Sequence, residues 1–137
     1  MRTEKLINYL YNIVDDIISS NDYLINADFL DNEINSYSID KIPTASVVEK
    51  WVTGKCKRQD TYVFRSRFSY TSNQAEQLKN IGFFEDFEKA IETNNKAKVL
   101  PDIEGIESIE CLNSGSVSTA GETTCEMNIQ IRIVYME

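Results

Sequence analysis

Apolar residues recur at three- and four-residue steps over positions 3–20, at Leu6, Leu10, Ile13 or Val14, and Ile17. That spacing is the stripe of an amphipathic helix. Ile7, Tyr11 and Ile18 widen the stripe, which predicts a helix buried against a sheet. Ser19-Ser20-Asn21-Asp22 breaks the pattern. Residues 23–34 are irregular. Leu24, Ile25, Phe29, Leu30 and Ile34 anchor a connection, with room for a helical turn near Ala27–Leu30. Tyr37 to Ile42 alternates imperfectly and predicts a short strand ending at Pro43.

Residues 46–52 carry two signals. Ser46-x-x-Glu49 has the form of a capping box. Val47, Val48, Trp51 and Val52 favour a strand, and Gly54 comes too soon for a stable helix, so the strand is preferred. Thr53–Gln59 then predicts a basic loop. Residues 60–70 give the clearest period of two. Tyr62, Phe64, Phe68 and Tyr70 share one face with Ser66, whereas Val63, Arg65, Arg67 and Ser69 share the other. A second helix starts after Asn73, an N-cap residue followed three positions on by Glu76. Its predicted stripe is Leu78, Ile81, Phe84, Phe87 and Ala90 or Ile91, and Gly82 within it suggests close packing. Asn94-Asn95 and Pro101 mark its end. Glu107–Leu112 and Cys125–Tyr135 are two further strands, separated by a Ser/Thr/Gly-rich segment, Asn113–Thr124, that predicts a long mobile loop. The order is helix, two or three strands, helix, two strands. This is an α+β fold: a mainly antiparallel sheet of four to five strands packed against two main helices.

Composition narrows the function classes. The 137 residues suit one domain, 1–137, and 42% hydrophobic with 26% charged residues is ordinary for a globular chain. No basic flank and long apolar run opens the chain, so a leader peptide and a membrane span are not expected. Histidine is absent, which removes Ser-His-Asp, Cys-His and histidine-ligated metal chemistry. Cys56, Cys111 and Cys125 have neither disulfide-framework nor zinc spacing and read as reduced thiols. Cys56, between Lys55, Lys57 and Arg58, has cations that would lower a thiol pKa. Without a histidine base it reads as an exposed loop cysteine. Asp15-Asp16 with Asp28 and Asp31 lacks the order of a calcium loop and reads as a solvated acidic face. The expectation is therefore a protein without catalytic site, cofactor or metal.

The net charge of −8 is unevenly spread. Residues 1–40 hold eight acids against two bases, residues 41–70 two against seven, and residues 71–137 twelve against five. The basic middle makes Lys55, Lys57, Arg58, Arg65 and Arg67 the candidate interface residues. A basic strand with aromatics can hold single-stranded nucleic acid. Here the aromatics alternate with the arginines and fall on the opposite face, which favours a protein partner of complementary charge.

One segment carries a resemblance. Tyr37-Ser38-Ile39-Asp40, Ile42-Pro43-Thr44, Trp51-Val52-x-Gly54, Arg58-Gln59, Phe64, Ser66-Arg67 and Tyr70, supported by Gly82-Phe83-Phe84 and the closing apolar strand, resemble a family of small phage minor capsid or tail-completion proteins. Those in turn resemble the tail terminators of long-tailed phages. Ser66-Arg67 is followed by Phe68-Ser69-Tyr70 where such proteins often carry Glu-x-Tyr. The resemblance implies a virion structural protein at the head-proximal end of the tail, made in the host cytoplasm. It would bind itself as a ring, typically a hexamer, together with the tail tube protein and the head–tail connector, and genomic DNA would pass through without sequence-specific binding. A neck or head-completion protein is the alternative within virions. A nucleic-acid-binding accessory phage protein is the alternative from another class.

Overall fold

The computed structural model of the protein describes residues 2–18, 25–27, 36–43, 47–69, 74–120 and 124–137. Its elements are α1 (Arg2–Ile18), β1 (Ile25–Ala27), β2 (Ser36–Ile42), β3 (Val47–Lys50), β4 (Cys56–Ser69), α2 (Gln74–Lys96), β5 (Ile106–Cys111), β6 (Ser116–Ala120) and β7 (Thr124–Met136). The fold is α+β. One 7-stranded sheet runs in the order β1-β2-β4-β7-β5, with β3 also paired to β4 and β6 also paired to β7. The short β1 joins β2 in parallel, and every other pair is antiparallel. The sheet exceeds the four to five strands expected. The three residues of β1 and the five of β6 are too short to declare a period of two.

The sheet is built on β4 and β7, which pair without a break from Lys57↔Met136 to Ser69↔Thr124. An unbroken register keeps one set of side chains on one face over its whole length. Tyr62, Phe64, Ser66 and Phe68 therefore stand beside Ile131, Ile129, Met127 and Cys125, and all eight are buried. α1 and α2 bury their apolar stripes in the same core. Leu6, Leu10, Ile13 and Val14 supply α1's share, and Phe83, Phe84, Phe87 and Ile91 supply α2's. Phe87 stacks on Phe64 with ring centroids 4.8 Å apart, and Tyr37 of β2 stacks on the other side of Phe64 at 5.7 Å. Such aromatic pairs add about 0.5–1.5 kcal/mol each beyond the area they bury.

Polar contacts fasten the helices to this frame. Asp60 lies on the core face with 3% exposure. A buried carboxylate requires charged partners. Arg2 Nε donates to it at 2.8 Å and Lys41 Nζ lies 3.5 Å away. The Arg2 guanidinium also sits 4.7 Å over the Tyr135 ring. Tyr9 OH donates to the Val99 carbonyl at 2.8 Å, joining α1 to the segment after α2. The Ile109 amide donates to Asn95 Oδ1 at 3.1 Å, joining α2 to β5.

Several expectations are corrected. Ile81 is 48% exposed, and Phe83 takes its place in the core at 6%. Counted round a helix of 3.6 residues per turn, Phe83 lies about 40° from Phe87 and Ile81 about 120°. Asn113–Thr124 is not a free loop throughout, since β6 lies inside it and pairs with β7 from Ser116↔Asn128 to Ala120↔Cys125. The basic loop is shorter than expected because β4 already begins at Cys56. A Cβ at Gly82 would meet nothing within 4 Å, so that glycine is not a close-packing point. Gly115 is one: a Cβ there would collide with the Phe84 side chain. The Asn73 cap, Tyr70 and most of the turn near Ala27–Leu30 lie outside the described residues.

The two glycines predict opposite outcomes in urea unfolding. Gly82→Ala removes backbone freedom at no steric cost and raises stability by about 1 kcal/mol. Gly115→Ala forces Phe84 from its place and lowers stability by about 1–3 kcal/mol. A loss at Gly82 or none at Gly115 would contradict this packing.

Candidate interaction surface

Of the described residues, those around β3 form the most exposed apolar feature. The chain turns from β3 into β4 over residues 51–55. The Trp51 amide donates to the Lys55 carbonyl at 2.9 Å, and the Gly54 amide donates to the Trp51 carbonyl at 3.0 Å. Gly54 takes a φ of 91°, a region that favours glycine. β3 lies against the first residues of β4, with Val47↔Arg58 and Lys50↔Cys56 in register. Its side chains do not alternate between buried and exposed. Val47, Val48, Trp51 and Val52 are exposed by 41%, 51%, 39% and 106%. A cluster of large apolar side chains in water marks a binding surface, and tryptophan is the residue most enriched where binding energy concentrates.

The root of this hairpin is held firmly. The Cys56 and Glu137 backbones exchange hydrogen bonds at 3.0 and 2.9 Å. Lys57 Nζ lies 3.6 Å from Glu107, and Arg58 Nε lies 2.7 Å from Glu137. Cys56 is buried, not an exposed loop thiol, and its Sγ lies 3.8 Å from the Gly54 carbonyl. An exposed turn is thus carried on a fixed base, with Lys50 and Lys55 flanking Trp51.

The five cations predicted as interface residues do not form one patch. Lys55 stands exposed in the turn. Lys57, Arg65 and Arg67 share the sheet face away from the helices, and Arg58 points to the other face. Lys57 and Arg65 are eight residues apart along β4, roughly 26 Å in an extended strand. Acids of this chain already meet most of them. Arg65 Nε pairs with Asp40 of β2, and Arg65 Nη1 donates to Glu126 of β7 at 3.1 Å. Burial works against the Arg65 charge, but Glu126 and Asp40 outweigh it and raise its pKa. Arg67 stands opposite Glu126 in the β4–β7 register. A second row crosses the same face, where Arg132 meets Gln59 on one side and Glu110 on the other. These rows are internal fastenings of the sheet.

The remaining chemistry is sparse. Tyr62, Phe64 and Phe68 are buried beneath the helices and offer no stacking platform beside the arginines. An open groove of about 520 Å³ lies between the start of α1 and the Ile103–Gly105 turn, and its lining mixes Arg2 and Lys5 with Glu104 and Glu137. Among the described residues no group of three or more acids or cysteines is placed to hold a metal. Asp15 and Asp16 lie on α1, whereas Asp28 and Asp31 lie outside the described residues. No described helix is long and apolar enough to cross a membrane. Searched against protein-family models and against curated proteins, the chain finds no match. The sequence reading placed β3 but missed the exposure of its side chains. The available signal was the run Val47-Val48 and Trp51-Val52, which does not alternate as a half-buried strand does.

Two predictions follow from the charges. Arg65→Glu sets three carboxylates together and destabilises the fold by about 1–3 kcal/mol, the range for losing charged hydrogen bonds. Reversing Arg65 therefore tests the fold and not an interface, and an unchanged urea midpoint would show that the row is not needed. The Cys111 thiol is pushed up from 9.0 to about 12, first by burial and then by Glu88, Glu92 and Glu110. The unfolded thiol ionises first, so its stabilising effect is complete below pH 9 and is lost as pH rises towards 12. Burial also pushes Tyr37 from 10.0 to about 12, with the same sign. Urea midpoints between pH 8 and 11 should fall, and should fall less in Cys111→Ala. Identical slopes would exclude Cys111 as a source.

Proposed function

We propose that this protein is a structural subunit of a phage or phage-derived particle, of the tail-terminator kind. It closes the head-proximal end of the tail tube, stops the tube's growth and offers a surface to the head connector. The observation that carries the reading is where the chain spends its exposed apolar side chains. Trp51 and Val52, inside the segment that resembles the phage family, lie at the tip of a hairpin with a fixed base. That is the form of an assembly element: a rigid root and an apolar tip awaiting a partner.

A ring is the assembly that suits this reading. A closed ring uses heterologous contacts, so each subunit needs two different complementary surfaces. The hairpin supplies one. The acids of residues 71–137 supply material for another, and the net charge of −8 would keep passing DNA from adhering to the lumen.

Immunogold electron microscopy of particles from the producing strain tests the proposal. Label concentrated where tail meets head is the expected result. Label on no particle overturns it, and salt-dependent binding of DNA or RNA by the purified protein would then favour an accessory protein.

A further inference from the structure

The open groove of about 520 Å³ offers a fixed cation to an aromatic side chain. Arg2 lines it together with Ile103, Tyr135 and Met136. Arg2 is held in place twice: its Nε donates to Asp60 at 2.8 Å, and its guanidinium lies 4.7 Å over the Tyr135 ring. Its side chain is nevertheless 43% exposed. A guanidinium is planar, so one pinned over a ring can take a second ring on its other face, and tryptophan is the best partner for it. Lys5 and Glu104 also line the groove, both exposed and neither in an ion pair with a described residue.

The one tryptophan of the chain is exposed at the same end of the sheet. Val47, Arg58, Tyr135 and Ile106 form a single row across β3, β4, β7 and β5. The hairpin carries Trp51 and Val52 beyond that row at β3, and the groove lies beyond it beside Tyr135 and Gly105. β4 separates β3 from β7, and the 106% exposure of Val52 leaves the tip outside its own groove.

We propose that Trp51 of one copy enters the groove of the next copy and stacks on its Arg2. This deepens the ring reading and rests on it. The contact joins unlike surfaces and repeats from copy to copy, which closes into a ring when the rotation permits. Sites of roughly 300–1,000 Å³ hold whole small ligands, so the groove has room for the Trp51 and Val52 side chains. The charges suit a second copy. Glu49, Lys50 and Lys55 of the tip form no ion pair with a described residue and can meet Lys5 and Glu104 across the contact. A nucleic-acid base is disfavoured, because Glu104 and Glu137 at the groove would repel its phosphates.

Trp51 emission reports on the tip directly. Sedimentation velocity and emission across a dilution series should show association accompanied by a blue shift. Val52→Asp, at the tip, and Glu104→Lys, at the groove, should each weaken association by about tenfold or more with the fold retained by circular dichroism. Mixed together, these two variants should form a one-to-one pair, since one still has the groove and the other still has the tip. Trp51→Phe should keep more of the association than Trp51→Leu, because phenylalanine can still stack on Arg2. Association that neither surface variant weakens overturns the proposal, as does a mixture that forms no pair, or equal effects of phenylalanine and leucine. A wild-type protein that stays monomeric, with Trp51 shifting only on phosphatidylglycerol vesicles or oligo-dT, also overturns it. Tail-end labelling with indifferent variants would remove this contact and leave the tail reading standing. Pairing of the two variants with unlabelled particles would keep the contact and remove the tail reading.

Discussion

The β4–β7 ladder is the interaction on which the rest of the molecule depends. Its register runs without a bulge from Lys57↔Met136 to Ser69↔Thr124. β2 and β3 attach to the outside of β4, β5 and β6 attach to the outside of β7, and both helices lie across the shared apolar face. A slip of one residue would turn Phe64 and Ile129 to the solvent face and bring arginines beneath the helices. The core and the outer charge rows therefore fix the same register from opposite sides. The bulges occur in the flanking pairs, at Val47/Glu49, Ile106/Ser108 and Val117/Thr119, where the shorter strands bend away from the central pair.

The polar side of the sheet is organised by the same register. Asp40, Arg65 and Glu126 come from β2, β4 and β7 and meet only because those strands are neighbours. Gln59, Arg132 and Glu110 form the equivalent row across β4, β7 and β5. A chain that is basic in its middle third and acidic elsewhere can satisfy its cations by pairing the middle strand with acids from both flanks. This explains why the charge asymmetry of the sequence does not become a basic patch in the fold. Among the described residues, Lys50 and Lys55 at the β3 turn are cations that no ion pair of the sheet takes up.

Among the described residues, the hairpin at β3 brings together the most apolar side chains that folding leaves uncovered, four within six positions. Its turn is closed by backbone hydrogen bonds and its root is tied to the C-terminal strand, so the tip is not a frayed end. Exposed valines and a tryptophan on such a support lower solubility unless a partner covers them. The proposal of an assembly protein answers that conflict between local exposure and overall folding. It also assigns separate tasks to the two faces of the sheet: one holds the core, the other holds the sheet together, and the edges are left for partners.

Much of the fold was legible because long elements repeat their pattern often enough to be read. Seventeen residues of α1 and the long strands β4 and β7 declare periods of 3.6 and 2 in their apolar positions alone. The buried face of Tyr62, Phe64 and Phe68 followed from the same alternation. β1 and β6 were not legible, since a strand of three to five residues is stabilised by the neighbour it pairs with and not by its own pattern. Ile81 and Phe83 exchanged places because several helical arcs fit one stretch of apolar residues, and only contact with Phe64 and Tyr37 selects among them. For the candidate surface, the sequence by itself determined the residue types: five cations, a lone tryptophan and their place in the chain. Only the tertiary structure decided that Arg65 is consumed by Asp40 and Glu126 while Trp51 is left at a hairpin tip, because both outcomes depend on which distant strands lie alongside.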